Sequence, residues 1–141
     1  MIEIINQSDF YEFDQPFLEK ILTEYTKRKV ELVVTTGDKI AKLNAMHRNI
    51  PKPTDVLSFP LFGNSKKDPL GSVVINVEYV KEVAKELKHS VCDEFTLLFI
   101  HGMLHLLGYD HETDNGEMRK EEEKLIKKYN LPKSLIVRNS F

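Results

Sequence analysis

Phe95-Thr-Leu-Leu-Phe-Ile-His101-Gly-Met-Leu-His105-Leu-Leu-Gly108 reads as one helix that is buried on nearly every side. Nine of the thirteen residues from Phe95 to Leu107 are apolar, and they spread around the whole helical circumference. Gly108 stops the helix. Such a segment is stable only if other elements enclose it, so its flanks must supply a sheet and further helices.

They do. Ile2–Ile5 and the β-branched run Val30–Val34 read as strands, as do Val56–Phe59 and Val73–Ile75. Between the first two strands, Asp14 caps a helix with Pro16 in its first turn and Phe17, Leu18, Ile21, Leu22 and Tyr25 on one face. A helix over about 38–47 buries Ile40, Leu43 and Met46. Asn76 caps a helix carrying the stripe Val80, Val83, Ala84 and Leu87. The last helix, about 116–129, has Met118, Leu125, Ile126 and Tyr129 on a single face. The order strand, helix, strand, helix, strand, strand, helix, helix, helix predicts an α+β fold: a small mixed, mostly parallel four-stranded sheet with about five helices. The 141 residues form a single domain over 1–141, with a flexible loop at 61–70 and a C-terminal tail at 131–141.

Composition narrows the class. At 41% hydrophobic and 30% charged residues the chain is an ordinary folded domain. One cysteine, Cys92, excludes a disulfide framework and a cysteine-based zinc finger. The N-terminus lacks a signal-peptide pattern, and no apolar run reaches the roughly 18 residues of a membrane span. A cytoplasmic protein with no membrane partner is expected. The net charge of −2 argues against bulk electrostatic coating of nucleic acid. Six of the acids fall within 112–123, however, and the remainder carries 18 bases against 16 acids, which leaves room for a local basic surface.

Three of the five histidines lie within eleven residues. His101 and His105, four apart on a helix, differ by about 40° in direction and about 6 Å in height. Both imidazoles can therefore reach one ion, and His111 supplies a third nitrogen once the chain turns at Gly108. Three neutral nitrogens with an open fourth position form the pattern of a catalytic zinc site. Asp110 either orients a ligand imidazole or is a turn aspartate. His47 and His89 read as surface residues outside this cluster. Gly102 stands where a His-Glu-x-x-His peptidase carries its general base, which counts against proteolysis. A glycine inside a helix costs up to about 1 kcal/mol, so close packing or room for a substrate must favour it.

His101-Gly-Met-Leu-His105-Leu-Leu-Gly108-Tyr-Asp110-His111 resembles the signature of the bacterial YbeY family. Leu43-Asn44-Ala-Met-His47-Arg48, Pro53-Thr54-Asp55-Val56-Leu57-Ser58-Phe59-Pro60 and Asp114-x-x-Glu117-Met118 are similar to further family segments, so the likeness covers about 31–129. Two positions depart from it: His47 replaces an aromatic ring, and Ser72 replaces an aspartate. The resemblance implies a fold with a metzincin-like metal helix and a zinc-dependent, single-strand-specific endoribonuclease with one Zn²⁺ per chain. It implies action in small-subunit ribosomal RNA 3′-end maturation and ribosome quality control, with ribosomal RNA, the small ribosomal subunit and its associated proteins as partners. It places Arg48 in the active cleft, where a guanidinium suits a phosphate. The competing readings are a metal-dependent peptidase or amidase, and a non-catalytic ribosome assembly factor with a structural metal.

Overall fold

The run Val30-Glu-Leu-Val-Val-Thr35 has apolar side chains on both faces, so its strand must lie inside a sheet covered on two sides. The structure is a computed structural model that describes residues 1–61 and 67–133. In it this run is β2 (Val30–Thr35), central in the sheet between β1 (Ile2–Asn6) and β4 (Gly71–Asn76). Both neighbours are parallel to β2, whereas β3 (Val56–Pro60) joins the far edge of β4 antiparallel. The sheet order β1-β2-β4-β3 is the expected mixed, mostly parallel sheet.

The period-2 alternation of the strands sorts their side chains. Val30, Leu32, Val34, Val73 and Ile75 enter the main core with α1 (Gln15–Thr23) and α4 (Val91–Leu106). Val33, Leu57 and Val74 form a smaller core on the opposite face beneath Ile40 of α2 (Gly37–Arg48). The helix α3 (Val77–Leu87) packs beside α4, and α5 (Glu117–Tyr129) touches α4 from its other end. Phe95 and Phe99 are wholly buried; each such ring contributes about 1.5–3 kcal/mol. The caps fall at Asp14 and Asn76, whose side chains accept from the amides of Phe17 and Glu78.

The structure corrects two details. α4 begins at Val91, a full turn before its apolar run, because Ser90 caps it by accepting from the Asp93 amide. Met46 is 76% exposed rather than buried. A spacing of three drifts by about 60° per step on a 3.6-residue helix. Met46 therefore swings off the face of Ile40, and Asn44 takes the inner position. The centre of the expected 61–70 loop and most of the 131–141 tail lie outside the described residues.

Candidate metal centre

The end of α4 is built to turn. Gly108 adopts φ +101°, and the amides of Gly108 and Tyr109 bond back to the carbonyls of His105 and Leu104. This is a Schellman closure, which a side chain at Gly108 would strain. It folds the Tyr109 carbonyl under His105, whose Nδ1 donates to it at 3.0 Å. It also carries His111 back over the helix. One nitrogen each from His101, His105 and His111 lies within 4.8 Å of the other two, and the ring centroids are 4.8, 5.2 and 5.5 Å apart.

The tautomers follow from the partners. His101 donates from Nδ1 to the Glu122 carboxylate at 2.8 Å. With both Nδ1 atoms engaged by these acceptors, the Nε2 atoms of His101 and His105 face each other at 3.2 Å. Two imidazole nitrogens this close share either a proton or a metal cation. Two nitrogens on a tetrahedral ion with bonds of about 2.0–2.1 Å stand about 3.3–3.4 Å apart. The donor set therefore fits a borderline-soft divalent metal. Burial lowers the proton affinity of His105, and the neighbouring His101 and His111 lower it further. The ring is thereby kept in the neutral form a metal needs.

The cluster opens into a cleft of about 660 Å³ between α4, the edge of β3 and the end of α2. Arg48, Thr54, Asp55, Ser58, His101, His105, Asp110 and His111 are among its lining residues. Arg48 ends α2 and has no ion-pair partner among the described residues. Gly102 is explained by close packing: a Cβ there would lie 2.7 Å from Val73 and 3.1 Å from the Ser58 hydroxyl, which donates to the Gly102 carbonyl. It makes no room for a substrate.

Asp110 behaves as the turn aspartate, with its side chain accepting from the Glu112 amide. The residue that orients a ring is Glu122, 1% exposed, which the sequence reading missed. It sits four residues after Met118 and three before Leu125, inside the apolar stripe of α5, and that position was its signal. His89 is half-buried on the buried Glu94 at 2.8 Å, and so is not a simple surface residue. His47 is exposed as expected, with its ring against Phe59. Ser72 bonds to Glu31 within the sheet and is not among the residues lining the cleft.

A family model described as "Endoribonuclease YbeY" matches residues 3–130. The chain belongs to the YbeY family. A YbeY-family protein from Nitratiruptor sp. is 56% identical over 98% of this chain and 95% of its own length. Another, from Aliarcobacter butzleri, is 56% identical over 99% and 100%. Both carry the description "Endoribonuclease YbeY". The solution structure of TM1509 from Thermotoga maritima is 27% identical, covers 92% of each chain and superposes with a TM-score of 0.59. No helix among the described residues is long and apolar enough to cross a membrane.

Proposed function

We propose that this YbeY-family chain is a zinc-dependent endoribonuclease that cuts single-stranded RNA in the cytoplasm. Its relatives' shared description supports the class of reaction. The observation that carries the reading to this chain is the convergence of three imidazoles in a cleft that also holds an arginine with no ion-pair partner among the described residues. His101, His105 and His111 would hold one Zn²⁺ per chain, and such a three-histidine set would leave the ion able to take a water or substrate oxygen. The role extends to ribosomal RNA processing at the small-subunit 3′ end and to ribosome quality control, with the small subunit and its proteins as partners.

The chain's residues divide the work. Bound zinc supplies Lewis-acid charge and a water whose pKa falls to about 7. Glu122 and the Tyr109 carbonyl hold the first two rings in the tautomer that presents Nε2. Arg48 grips the scissile phosphate through its planar fork and neutralises the charge that builds on the phosphoryl oxygens in the transition state. The Asn44 side chain donates to the Lys52 carbonyl and the Asn44 carbonyl accepts from the Ile50 amide, which together fix the chain that leaves Arg48. A peptidase is disfavoured because the position after the first histidine is Gly102, packed against β3 and β4. The reading is tested by metal analysis and single-stranded RNA cleavage on purified wild type and Arg48→Ala side by side. Zinc in both with cleavage in the wild type alone supports it; zinc-loaded wild type that leaves RNA intact refutes it.

A further inference from the structure

We infer that the outer edge of β3 is a subsite for a ribose 2′-hydroxyl, held by the main-chain amide and carbonyl of Ser58, and that it selects RNA over DNA. The inference rests on the endoribonuclease reading and adds to it the element that reads the sugar. β3 is an edge strand, bonded to β4 on one side only. α2 covers the sheet face that carries Val33, Leu57 and Val74, whereas α4 lies on the opposite face. The cleft takes Arg48 from α2, and the three histidines from α4 and the turn after it. A cleft lined from both faces has to pass round the edge of the sheet. The edge it passes is β3, whose Val56, Ser58 and Pro60 line it. The Ser58 hydroxyl donates to the Gly102 carbonyl at 3.0 Å, so this edge runs beside α4 at the level of His101.

The register decides what this edge offers. In an antiparallel pair, alternate residues bond to the neighbouring strand, and those between turn their amide and carbonyl outward. The Asn76 amide bonds to the Asp55 carbonyl and the Leu61 amide to the Leu70 carbonyl, so positions 55, 57, 59 and 61 face β4. Val56, Ser58 and Pro60 therefore face outward. The Val56 amide is already taken by the Asp55 carboxylate at 2.8 Å, and proline has no N–H. What remains is a single donor, the Ser58 amide, among three carbonyl acceptors. A phosphate meets repulsion along such an edge and is left to Arg48. A hydroxyl both donates and accepts, and so matches the Ser58 amide and carbonyl together. In a nucleic-acid strand the 2′-OH is the hydroxyl that each ribose offers, and DNA lacks it.

The test is steady-state cleavage of a short single-stranded RNA by the metal-loaded, full-length protein, with one ribose at a time replaced by 2′-deoxyribose. Wild type is compared with Ser58→Ala, which loses only the hydroxyl, and with Ser58→Pro, which loses the amide donor as well. Proline is accepted on an edge strand where its nitrogen faces outward, as Pro60 already does two residues on. In wild type, one 2′-deoxy position should raise KM about three- to tenfold, the size of one net hydrogen bond, with kcat changed less than about twofold. Ser58→Ala should show the same penalty at that position. In Ser58→Pro it should fall to about twofold or less, because the substitution and the deoxy sugar remove the same contact. If Ser58→Pro does not fold, the Ser58 amide resonance of the wild type gives the reading instead. It should shift on adding single-stranded RNA and stay in place on adding DNA of the same sequence. A wild-type scan with no KM penalty, an undiminished penalty in Ser58→Pro, or an amide unmoved by RNA overturns the subsite and leaves the endoribonuclease reading intact. A zinc-loaded wild type that cuts no RNA overturns both.

Discussion

His101 of α4 donates from Nδ1 to the carboxylate of Glu122 on α5 across 2.8 Å, and both residues are buried. The contact fixes which nitrogen of His101 faces the cleft. Glu122→Gln keeps an acceptor but loses the charge. It should weaken metal binding by about 10–100-fold, read by competition with a chelator. An unchanged affinity would reduce Glu122 to a packing residue.

Arg48 is expected to act on the rate and not on the fold. Arg48→Ala should lower the turnover of single-stranded RNA by about 100–1,000-fold, the usual effect of removing one well-placed electrostatic donor. Lys at this position keeps the charge without the planar fork and should restore only part of the rate. The side chain lies exposed at the end of α2, so melting temperatures should stay within about 3 °C of wild type. Wild-type turnover in a zinc-loaded Arg48→Ala protein would move the phosphate site elsewhere.

Gly102 gives a prediction in which two effects oppose each other. Ala gains up to about 1 kcal/mol in intrinsic helix propensity over Gly. The added Cβ would meet Val73 at 2.7 Å and the Ser58 hydroxyl at 3.1 Å, and Val73 is wholly buried. Overpacking of this kind costs about 1–3 kcal/mol. Gly102→Ala should therefore lower stability in urea unfolding. A stabilised variant would show that α4 has room against the sheet.

Much of this was legible in the sequence because it is local. The apolar circumference of α4, the caps at Asp14 and Asn76 and the element order each depend on residues a few positions apart. The histidine cluster was legible for the same reason, as an i, i+4 pair followed by a glycine turn. What escaped depends on distant contacts. Glu122 stands 21 residues from His101 in a helix crowded with solvated acids and lysines. The buried Glu94 beneath His89, and Val73 against Gly102, likewise become neighbours only when the chain folds. Met46 was misplaced for a different reason: a spacing of three alone does not hold one helical face.

Glu24 supplies a pH dependence remote from the metal centre. Hydrogen bonds from the Lys128 ammonium and the Tyr129 hydroxyl hold its carboxyl below the usual value of 4.5. A carboxyl with a depressed folded value stabilises the fold above its unfolded value, and that contribution is lost as pH falls through the folded value. The difference in stability between wild type and Glu24→Gln should therefore be present at pH 7 and shrink below about 4.5. The Tyr129 phenol, raised to about 12 by burial and by Glu24, keeps its proton throughout that range. A difference that is constant from pH 7 to pH 3 would contradict the α1–α5 contact.

The central claim is that three imidazoles hold one metal ion, and its most direct measurement is metal content per chain on purified protein. Wild type and His47→Ala should each carry one zinc ion. His101→Ala, His105→Ala and His111→Ala should each lose most of it, because a site with three protein ligands has little redundancy. Stoichiometric zinc retained by any of those three variants, or a folded wild type that binds none, would contradict the account.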